Sequence, residues 1–449
     1  MRREIRALGL LVAAGVLVGC VDEDIIYRDF PAYEDPPDAA AGFLGYSKQE
    51  EKLAVCGNCH VGQQSWWQES AHAQAWADLQ ASGSAQPLCN DCHTVSQRGN
   101  AATTSVAYTA TGDTRYHDVQ CESCHGAGLT HVQNPDATQP LAGFAVDTAT
   151  GCGECHQDTH RFVEEWSQSA HARFNEHATS AACLSCHEGK TALQAFGETA
   201  EYLEKSDGKL YGITCSVCHD PHGSANAGQL RFAIDAPDPE QNLCIRCHHK
   251  RSEPDPTTPR GAHSPQGPML LGDAGWRPPN FVFDTTRLIA THGSERNAKL
   301  CAGCHVDGFT VTDQATGNFA FQATGHLFKA IPCLDAEGKP TPGDCEVSQR
   351  SFRSCAVGGC HGSEAAARSA TLTLESRMQA LTAEVNRLVA KVPATEFKTN
   401  DGKITVGEGA KFNASLLAED GSRGVHNPFL LEALLNASIQ ALKDTYGVS

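Results

Sequence analysis

The chain has 449 residues, a formal net charge of −18 and 7% aromatic residues, and it contains 21 cysteines and 21 histidines. The length is sufficient for two or three domains. The acidic balance argues against nucleic acid as a partner and favours basic proteins or metal ions. Because aromatic side chains are scarce for a core of this size, another apolar group is expected to fill part of the interior.

The chain begins with a predicted export signal. Residues 1–19 carry three arginines and then an apolar run, Leu8–Val18, which is too short to span a membrane. The residues Leu17–Cys20 resemble the lipobox of bacterial lipoproteins. This resemblance implies a lipid on Cys20 and attachment to the outer membrane, on its periplasmic or its cell-surface face. The acidic, proline-containing residues 20–50 are predicted to be a tether.

Nine cysteine motifs follow, numbered 1 to 9 in chain order. Eight have the pattern C-x-x-C-H, and the ninth is a stretched C-x4-C-H. They are Cys56/Cys59/His60, Cys89/Cys92/His93, Cys121/Cys124/His125, Cys152/Cys155/His156, Cys183/Cys186/His187, Cys215/Cys218/His219, Cys244/Cys247/His248, Cys301/Cys304/His305 and Cys355/Cys360/His361. In such a motif both thiols form thioethers to a haem, and the histidine becomes the proximal iron ligand. The motifs therefore predict nine covalently attached haem c groups and electron-transfer chemistry, with each haem buried by the chain around it.

The first six motifs form an internal duplication. The pattern W-x-x-S-A-H-A occurs at 67–73 and again at 166–172, at the same place relative to the motifs. We therefore predict two trihaem repeats, residues 51–150 and 151–235. A third trihaem section, residues 236–362, contains a proline-rich loop after motif 7. Residues 363–449 are predicted to form a C-terminal helical hairpin, with a glycine-rich turn between its two helices.

The fold class predicted is mainly α with extensive coil and little β, organised around haems. Two cysteines outside the motifs, Cys333 and Cys345, are predicted to form a disulfide in an oxidising compartment; two free thiols are the alternative.

Twelve histidines lie outside the motifs, more than the nine irons need for bis-histidine ligation. Nine are candidates for the second ligand: His72, His117, His131, His171, His222, His263, His292, His326 and His426. His160, His177 and His249 are left unassigned, and His249 is expected to be exposed. Methionine ligation, which raises the reduction potential, has almost no candidates in this sequence. We therefore expect low-potential haems.

These motifs resemble known families. Residues 215–248 resemble the doubled C-x-x-C-H module of multihaem cytochromes, and the W-x-x-S-A-H-A elements are similar to those of the nitrite reductase and hydroxylamine oxidoreductase group. The lipobox together with many haems resembles outer-membrane cytochromes that serve extracellular acceptors. The resemblance implies closely stacked haems in a conducting chain. The C-x-x-C-K motif typical of pentahaem nitrite reductases is absent from the sequence.

The function predicted is an electron relay in respiratory or extracellular electron transfer. Its partners would be redox proteins or periplasmic or extracellular acceptors. One alternative is a reductase or oxidoreductase of nitrogen or sulfur compounds, with one haem open to substrate. The other is a self-associating subunit of a cytochrome filament.

Overall fold

The computed structural model describes residues 41–158, 160–198, 208–257, 260–283, 292–313, 315–357, 360–397 and 401–449. The predicted signal, Cys20 and most of the tether lie outside these residues. The α-helices are α1 Val61–Gln68, α2 Ala75–Ala81, α3 Asn90–His93, α4 Ala107–Thr111, α5 Cys121–His125, α6 Leu129–Gln133, α7 Phe162–Gln168, α8 Ala181–His187, α9 Gly189–Ala195, α10 Cys215–Cys218, α11 Gln266–Leu271, α12 Ala302–His305, α13 Arg353–Ala356, α14 Glu364–Val389, α15 Val406–Asp420 and α16 Pro428–Tyr446. The strands form antiparallel pairs: β1 Tyr46–Lys48 with β2 Leu53–Ala54, β3 Phe309–Thr312 with β4 Phe319–Ala323, and β5 Cys333–Leu334 with β6 Pro340–Thr341. The fold is therefore mainly helical with little β structure, as predicted.

In several cysteine motifs the histidine N–H donates to the carbonyl of the first cysteine, which returns the histidine to the start of the motif. In motif 1 the backbone N–H of His60 donates to the carbonyl of Cys56 at 2.9 Å. The stretched motif 9 closes in the same way, because the N–H of His361 donates to the carbonyl of Cys355 at 3.2 Å. The two extra residues of motif 9 therefore do not prevent its histidine from returning to the first cysteine.

The two repeats share the same local contacts. Trp67 and Trp166 are buried near the ends of α1 and α7, and each indole N–H donates to a carbonyl two residues before the third motif of its repeat. The carbonyl of His72 accepts from the N–H of Val119, and that of His171 accepts from Ile213. Each W-x-x-S-A-H-A element is thus the end of a helix that fixes a histidine beside the third motif. The predicted domain boundaries stay a prediction.

The C-terminal region is a bundle of three helices, so the predicted two-helix hairpin was wrong. The segment interpreted as a turn contains α15, whose first turn has a capping box between Thr405 and Glu408. The glycines that suggested a turn allow close packing instead. A Cβ at Gly409 would lie 2.0 Å from the ring of Trp276, and one at Gly407 would lie 3.1 Å from Val392.

The largest apolar core lies in this bundle and not among the motifs. It contains the fully buried Leu430, Leu431, Leu434 and Leu435 of α16, packed with side chains of α14 and α15. The motif-bearing region has only small buried clusters, such as Phe144 with Leu193 and Val217. This difference is expected if haem supplies the missing apolar surface there. Within the described residues, no helix is both long and apolar enough to cross a membrane.

The predicted disulfide is confirmed. Cys333 and Cys345 are bonded, with their Cα atoms 6.0 Å apart. The bond closes a loop that includes the short β5–β6 hairpin.

Candidate haem-binding sites

Eight motif histidines face a histidine from outside the motifs. The ring centroids of the members of each pair lie between 6.0 and 6.3 Å apart. In motif order the pairs are His60–His131, His125–His222, His156–His72, His187–His263, His219–His326, His248–His171, His305–His426 and His361–His292.

This spacing fits one metal ion between two imidazoles. Two metal–nitrogen bonds of about 2 Å each, plus the distance from nitrogen to centroid in each ring, add to roughly 6 Å. Rings in direct contact would be closer, as His117 and Trp76 are, with centroids 3.9 Å apart. The motif cysteines stand beside each pair, so the residues present fit haem c.

Burial keeps the most enclosed of these imidazoles neutral. Desolvation lowers the pKa of His171 to about 4, and the neighbouring His248 and His305 add to this effect. Desolvation also lowers the pKa of His156 to about 4, with His72 contributing next. The neutral imidazole is the form that binds a metal.

Hydrogen bonds at Nδ1 orient many of these rings and leave Nε2 available to the iron. On the motif side, Nδ1–H of His305 donates to the carbonyl of Phe328 at 2.9 Å. On the other side, Nδ1–H of His292 donates to the carbonyl of Val425 at 2.6 Å. His426 differs, because its Nδ1–H donates to a carboxylate oxygen of Asp420 at 2.7 Å. Such partners fix the tautomer and orientation of a ligating histidine.

Thiols of different motifs lie close enough to affect one another's pKa, and these interactions indicate which motifs are neighbours. The partner thiol is the largest influence on the thiol pKa for Cys56 with Cys121, Cys92 with Cys155, Cys152 with Cys215, Cys186 with Cys247 and Cys244 with Cys301. It is a smaller influence for Cys124 with Cys152, Cys218 with Cys244 and Cys304 with Cys355. The neighbours therefore run 1–3–4–6–7–8–9, with motif 2 beside motif 4 and motif 5 beside motif 7.

The motif cysteines are not equally enclosed. Cys59, Cys152 and Cys360 are exposed, whereas the other motif cysteines are half-buried. Cys59 and Cys360 are the second cysteines of motifs 1 and 9, the two ends of the line of neighbours, whereas Cys152 belongs to motif 4, within that line. Exposure is therefore not confined to the ends of the line. Attachment of haem at these cysteines stays a prediction.

His117 does not join a ring pair with a motif histidine in the described part of the chain. Its ring lies flat on Trp76 and also contacts Tyr108 at 5.3 Å. His160, which was left unassigned, lies 6.2 Å from His156, and its electrostatic neighbour is His93 of motif 2. The proximity of His160 to motif 2 is not visible in the sequence, because it arises only in the folded chain.

The two other unassigned histidines are not paired with a motif histidine in the described contacts. His177 is exposed. His249 is half-buried and donates from Nδ1 to the carbonyl of Ile245 at 2.7 Å, so the expectation that it is exposed was wrong. The turn formed by motif 7 itself brings the ring of His249 onto the carbonyl of Ile245, inside that motif.

Two protein-family models match parts of the chain. Residues 55–126, which contain motifs 1 to 3, match the family described as cytochrome c554 and c-prime. Residues 210–253, which contain motifs 6 and 7, match the doubled CXXCH motif.

Relatives and solved structures are multihaem cytochromes. The multiheme cytochrome MtrA of Shewanella baltica is 27% identical over 161 residues, which cover 30% of this chain and 44% of MtrA. The C-type polyheme cytochrome OmcB of Geobacter sulfurreducens is 24% identical over 278 residues, covering 56% of this chain and 35% of OmcB. The chain thus spans less than half the length of either relative. The crystal structure of the outer cell wall cytochrome OcwA matches in fold with a TM-score of 0.51 and 20% identity, over 81% of this chain and 78% of that one.

Proposed function

From the premise that the chain is a multihaem c-type cytochrome, we propose that it relays electrons through nine covalently attached haems, each held between two histidines. When bound, haem supplies a one-electron iron couple, and the protein supplies spacing, ligands and electrostatics. The observation that carries the proposal is the set of eight histidine pairs with one common spacing. The support comes from the repetition, because eight different motif histidines each have a histidine from outside the motifs at the distance that one shared metal ion requires.

Eight of the nine candidate second ligands take this role: His72, His131, His171, His222, His263, His292, His326 and His426. With one histidine on each side, none of these eight irons would be open to substrate. This favours a carrier over a reductase of nitrogen or sulfur compounds.

For motif 2 we propose His160 as the second ligand in place of His117. The two repeats support this assignment, since motif 5, the counterpart of motif 2, pairs with His263, which follows motif 7. His160 follows motif 4 in the same way. His117 lies four residues before motif 3, and the equivalent position before motif 6 is Tyr211. Because tyrosine replaces histidine there in the second repeat, the position of His117 is not a ligand position shared by the two repeats.

The ligand set is tested by mass and by EPR. The intact protein is expected to carry nine haems, and its oxidised EPR spectrum is expected to contain low-spin signals only. His160→Ala is expected to add one high-spin ferric signal, whereas the matched variant His117→Ala leaves all nine sites low-spin. A high-spin signal in the wild-type protein, or one that appears in His117→Ala alone, would contradict the assignment.

The interactions between thiols of neighbouring motifs support one order in which electrons pass from haem to haem. Motifs 1 and 9 are the ends of the main line, and motifs 2 and 5 are side branches at motifs 4 and 7. The two repeats contribute equivalent steps, from 1 to 3 to 4 and from 4 to 6 to 7. We propose that redox partners exchange electrons at these four termini. The exposure of Cys59 and Cys360 supports this at motifs 1 and 9, because a haem joined to an exposed thiol has an edge near solvent.

We further propose that the chain works outside the cytoplasm, held to the outer membrane by a lipid on Cys20. The disulfide between Cys333 and Cys345 supports an oxidising compartment, and one fold relative is described as an outer cell wall cytochrome. Its acceptor would be a periplasmic or extracellular electron acceptor. Cys20→Ala is expected to move the protein from the detergent phase to the aqueous phase in Triton X-114 partitioning, with its haem spectrum unchanged. If the wild type and Cys20→Ala partition equally, the proposed lipid anchor on Cys20 is refuted.

A further inference from the structure

The carboxylate of Asp420 occupies an unusual place for a helix residue. Asp420 is the last residue of α15, and its side chain is fully buried. A negative charge at a helix C-terminus opposes the helix dipole, and burying a carboxylate is costly unless it gains partners. Helix stability therefore does not explain this residue.

The partners of Asp420 direct it toward a single imidazole. One carboxylate oxygen accepts from Nδ1–H of His426 at 2.7 Å, and the other accepts from the hydroxyl of Ser422. His426 consequently presents Nε2 toward His305, whose ring centroid lies 6.2 Å away. The side chain of His426 is 18% exposed, so little water screens the pair.

Other second ligands have weaker or more hydrated partners at Nδ1. His131 and His292 donate to the carbonyls of Thr138 and Val425. His222 has Asp220 nearby at 3.5 Å, but its side chain is 51% exposed. Among the described ligand pairs, a buried carboxylate within hydrogen-bonding distance occurs at motif 8.

We propose that Asp420 is a positioning residue that lowers the reduction potential of the haem at motif 8. An anionic acceptor on Nδ1–H increases the electron donation of the imidazole and fixes its orientation, which stabilises the oxidised metal. The inference rests on the proposed function, because it requires His426 to be an iron ligand. Motif 8 lies between motifs 7 and 9 on the route. Asp420 would therefore lower the reduction potential of the site that precedes the last haem.

The test is a spectroelectrochemical titration of the full-length holoprotein. Asp420→Asn keeps the shape and an acceptor oxygen but removes the charge. Changes to such supporting partners typically alter metal binding by 10- to 100-fold. We expect one of the nine couples to move to a more positive potential by at least about tenfold in its redox equilibrium, which is about 59 mV for one electron.

Two further variants sharpen the result. Asp220→Asn changes a half-buried carboxylate that lies 3.5 Å from the more exposed His222 and also pairs with Arg231, and it is expected to shift the couple of His222 much less. Ser422→Ala removes a donor from Asp420, strengthens its charge toward His426 and is expected to shift the same couple in the opposite direction. If Asp420→Asn does not fold, the potential measured for Ser422→Ala tests the proposal in its place. Titration curves of Asp420→Asn and Ser422→Ala that superimpose on the wild type would overturn the proposal.

A last variant separates this inference from the proposed function. His426→Met is expected to convert one low-spin signal to that of a histidine–methionine site. If His426→Met leaves the spectrum unchanged, His426 is not a ligand, and the proposed ligand set fails. If it changes the spectrum while Asp420→Asn leaves every potential unchanged, the ligand set stands and the role of Asp420 is refuted.

Discussion

Replacement of Glu165 by glutamine is expected to loosen the contact between the second repeat and the third section. Glu165 lies on α7, is 2% exposed, and accepts three hydrogen bonds from the segment that carries His326. One oxygen accepts from the N–H of Thr324 at 2.8 Å, and the other accepts from the Thr324 hydroxyl at 2.8 Å and the His326 N–H at 2.9 Å. The carboxylate thereby fixes the backbone at His326, which faces His219 of motif 6.

The magnitude follows from these three bonds. In Glu165→Gln the remaining oxygen can keep the two bonds on one side, while the new NH₂ group faces the N–H of Thr324. Leaving that buried N–H without an acceptor costs about 1–3 kcal/mol, and the two remaining bonds lose charge assistance worth roughly another 1 kcal/mol. We therefore expect the free energy of unfolding to fall by about 3 kcal/mol.

The assay is guanidinium denaturation of the oxidised holoprotein, followed by far-ultraviolet circular dichroism. Thr324→Val removes one of the three bonds and is expected to cost about 1.5 kcal/mol, and the double variant should show strong non-additivity because the residues share the bond. Glu176→Gln, at an exposed carboxylate of the same repeat, is the control and should stay within about 0.5 kcal/mol of wild type. A Glu165→Gln variant as stable as that control would refute the reasoning.

The other predictions concern the disulfide and the C-terminal bundle. Replacing Cys333 and Cys345 by alanine is expected to lower the free energy of unfolding by about 3 kcal/mol, because the bridge restricts the unfolded chain. An alanine variant that melts at the same temperature as the wild type without reductant would contradict this. Gly409→Ala is expected to destabilise the bundle by about 1–3 kcal/mol, because its Cβ would overlap the ring of Trp276. Gly62→Ala, where a Cβ meets no atom within 4 Å, is the control and should raise stability by roughly 0.5–1 kcal/mol. Equal melting shifts for both glycine variants would argue against the packing explanation.

The sequence identifies local chemistry well, because that chemistry depends on adjacent residues. The cysteine motifs, the duplication and the Cys333–Cys345 bridge were all visible in the residues themselves, and the bridge is confirmed. The mainly helical fold with little β structure is confirmed as well.

Prediction failed where the decisive neighbour is distant in the chain. Gly407 and Gly409 were interpreted as turn residues, whereas their lack of a side chain accommodates packing from Val392 and Trp276. The order of motifs in space was also inaccessible, because neighbouring motifs such as 1 and 3, or 2 and 4, are not consecutive in the chain.

The same limit applies to ligand choice and to exposure. The sequence favours His117 and leaves His160 unassigned, because the proximity of His160 to His93 exists only in the folded chain. Nothing in the motif pattern separates Cys59, Cys152 and Cys360 from the other attachment cysteines, because exposure depends on how the folded chain packs around each thiol.

The histidine pairs also constrain how this molecule can be assembled. His125 faces His222, and His219 faces His326, so each partner belongs to a later section of the chain. If these pairs hold the irons, a polypeptide that emerges from its N-terminus must carry incompletely coordinated sites until the downstream histidine arrives. Truncation of the third section would then leave a reactive iron in the second repeat, and the nascent chain would need protection from peroxide and other small ligands until synthesis is complete.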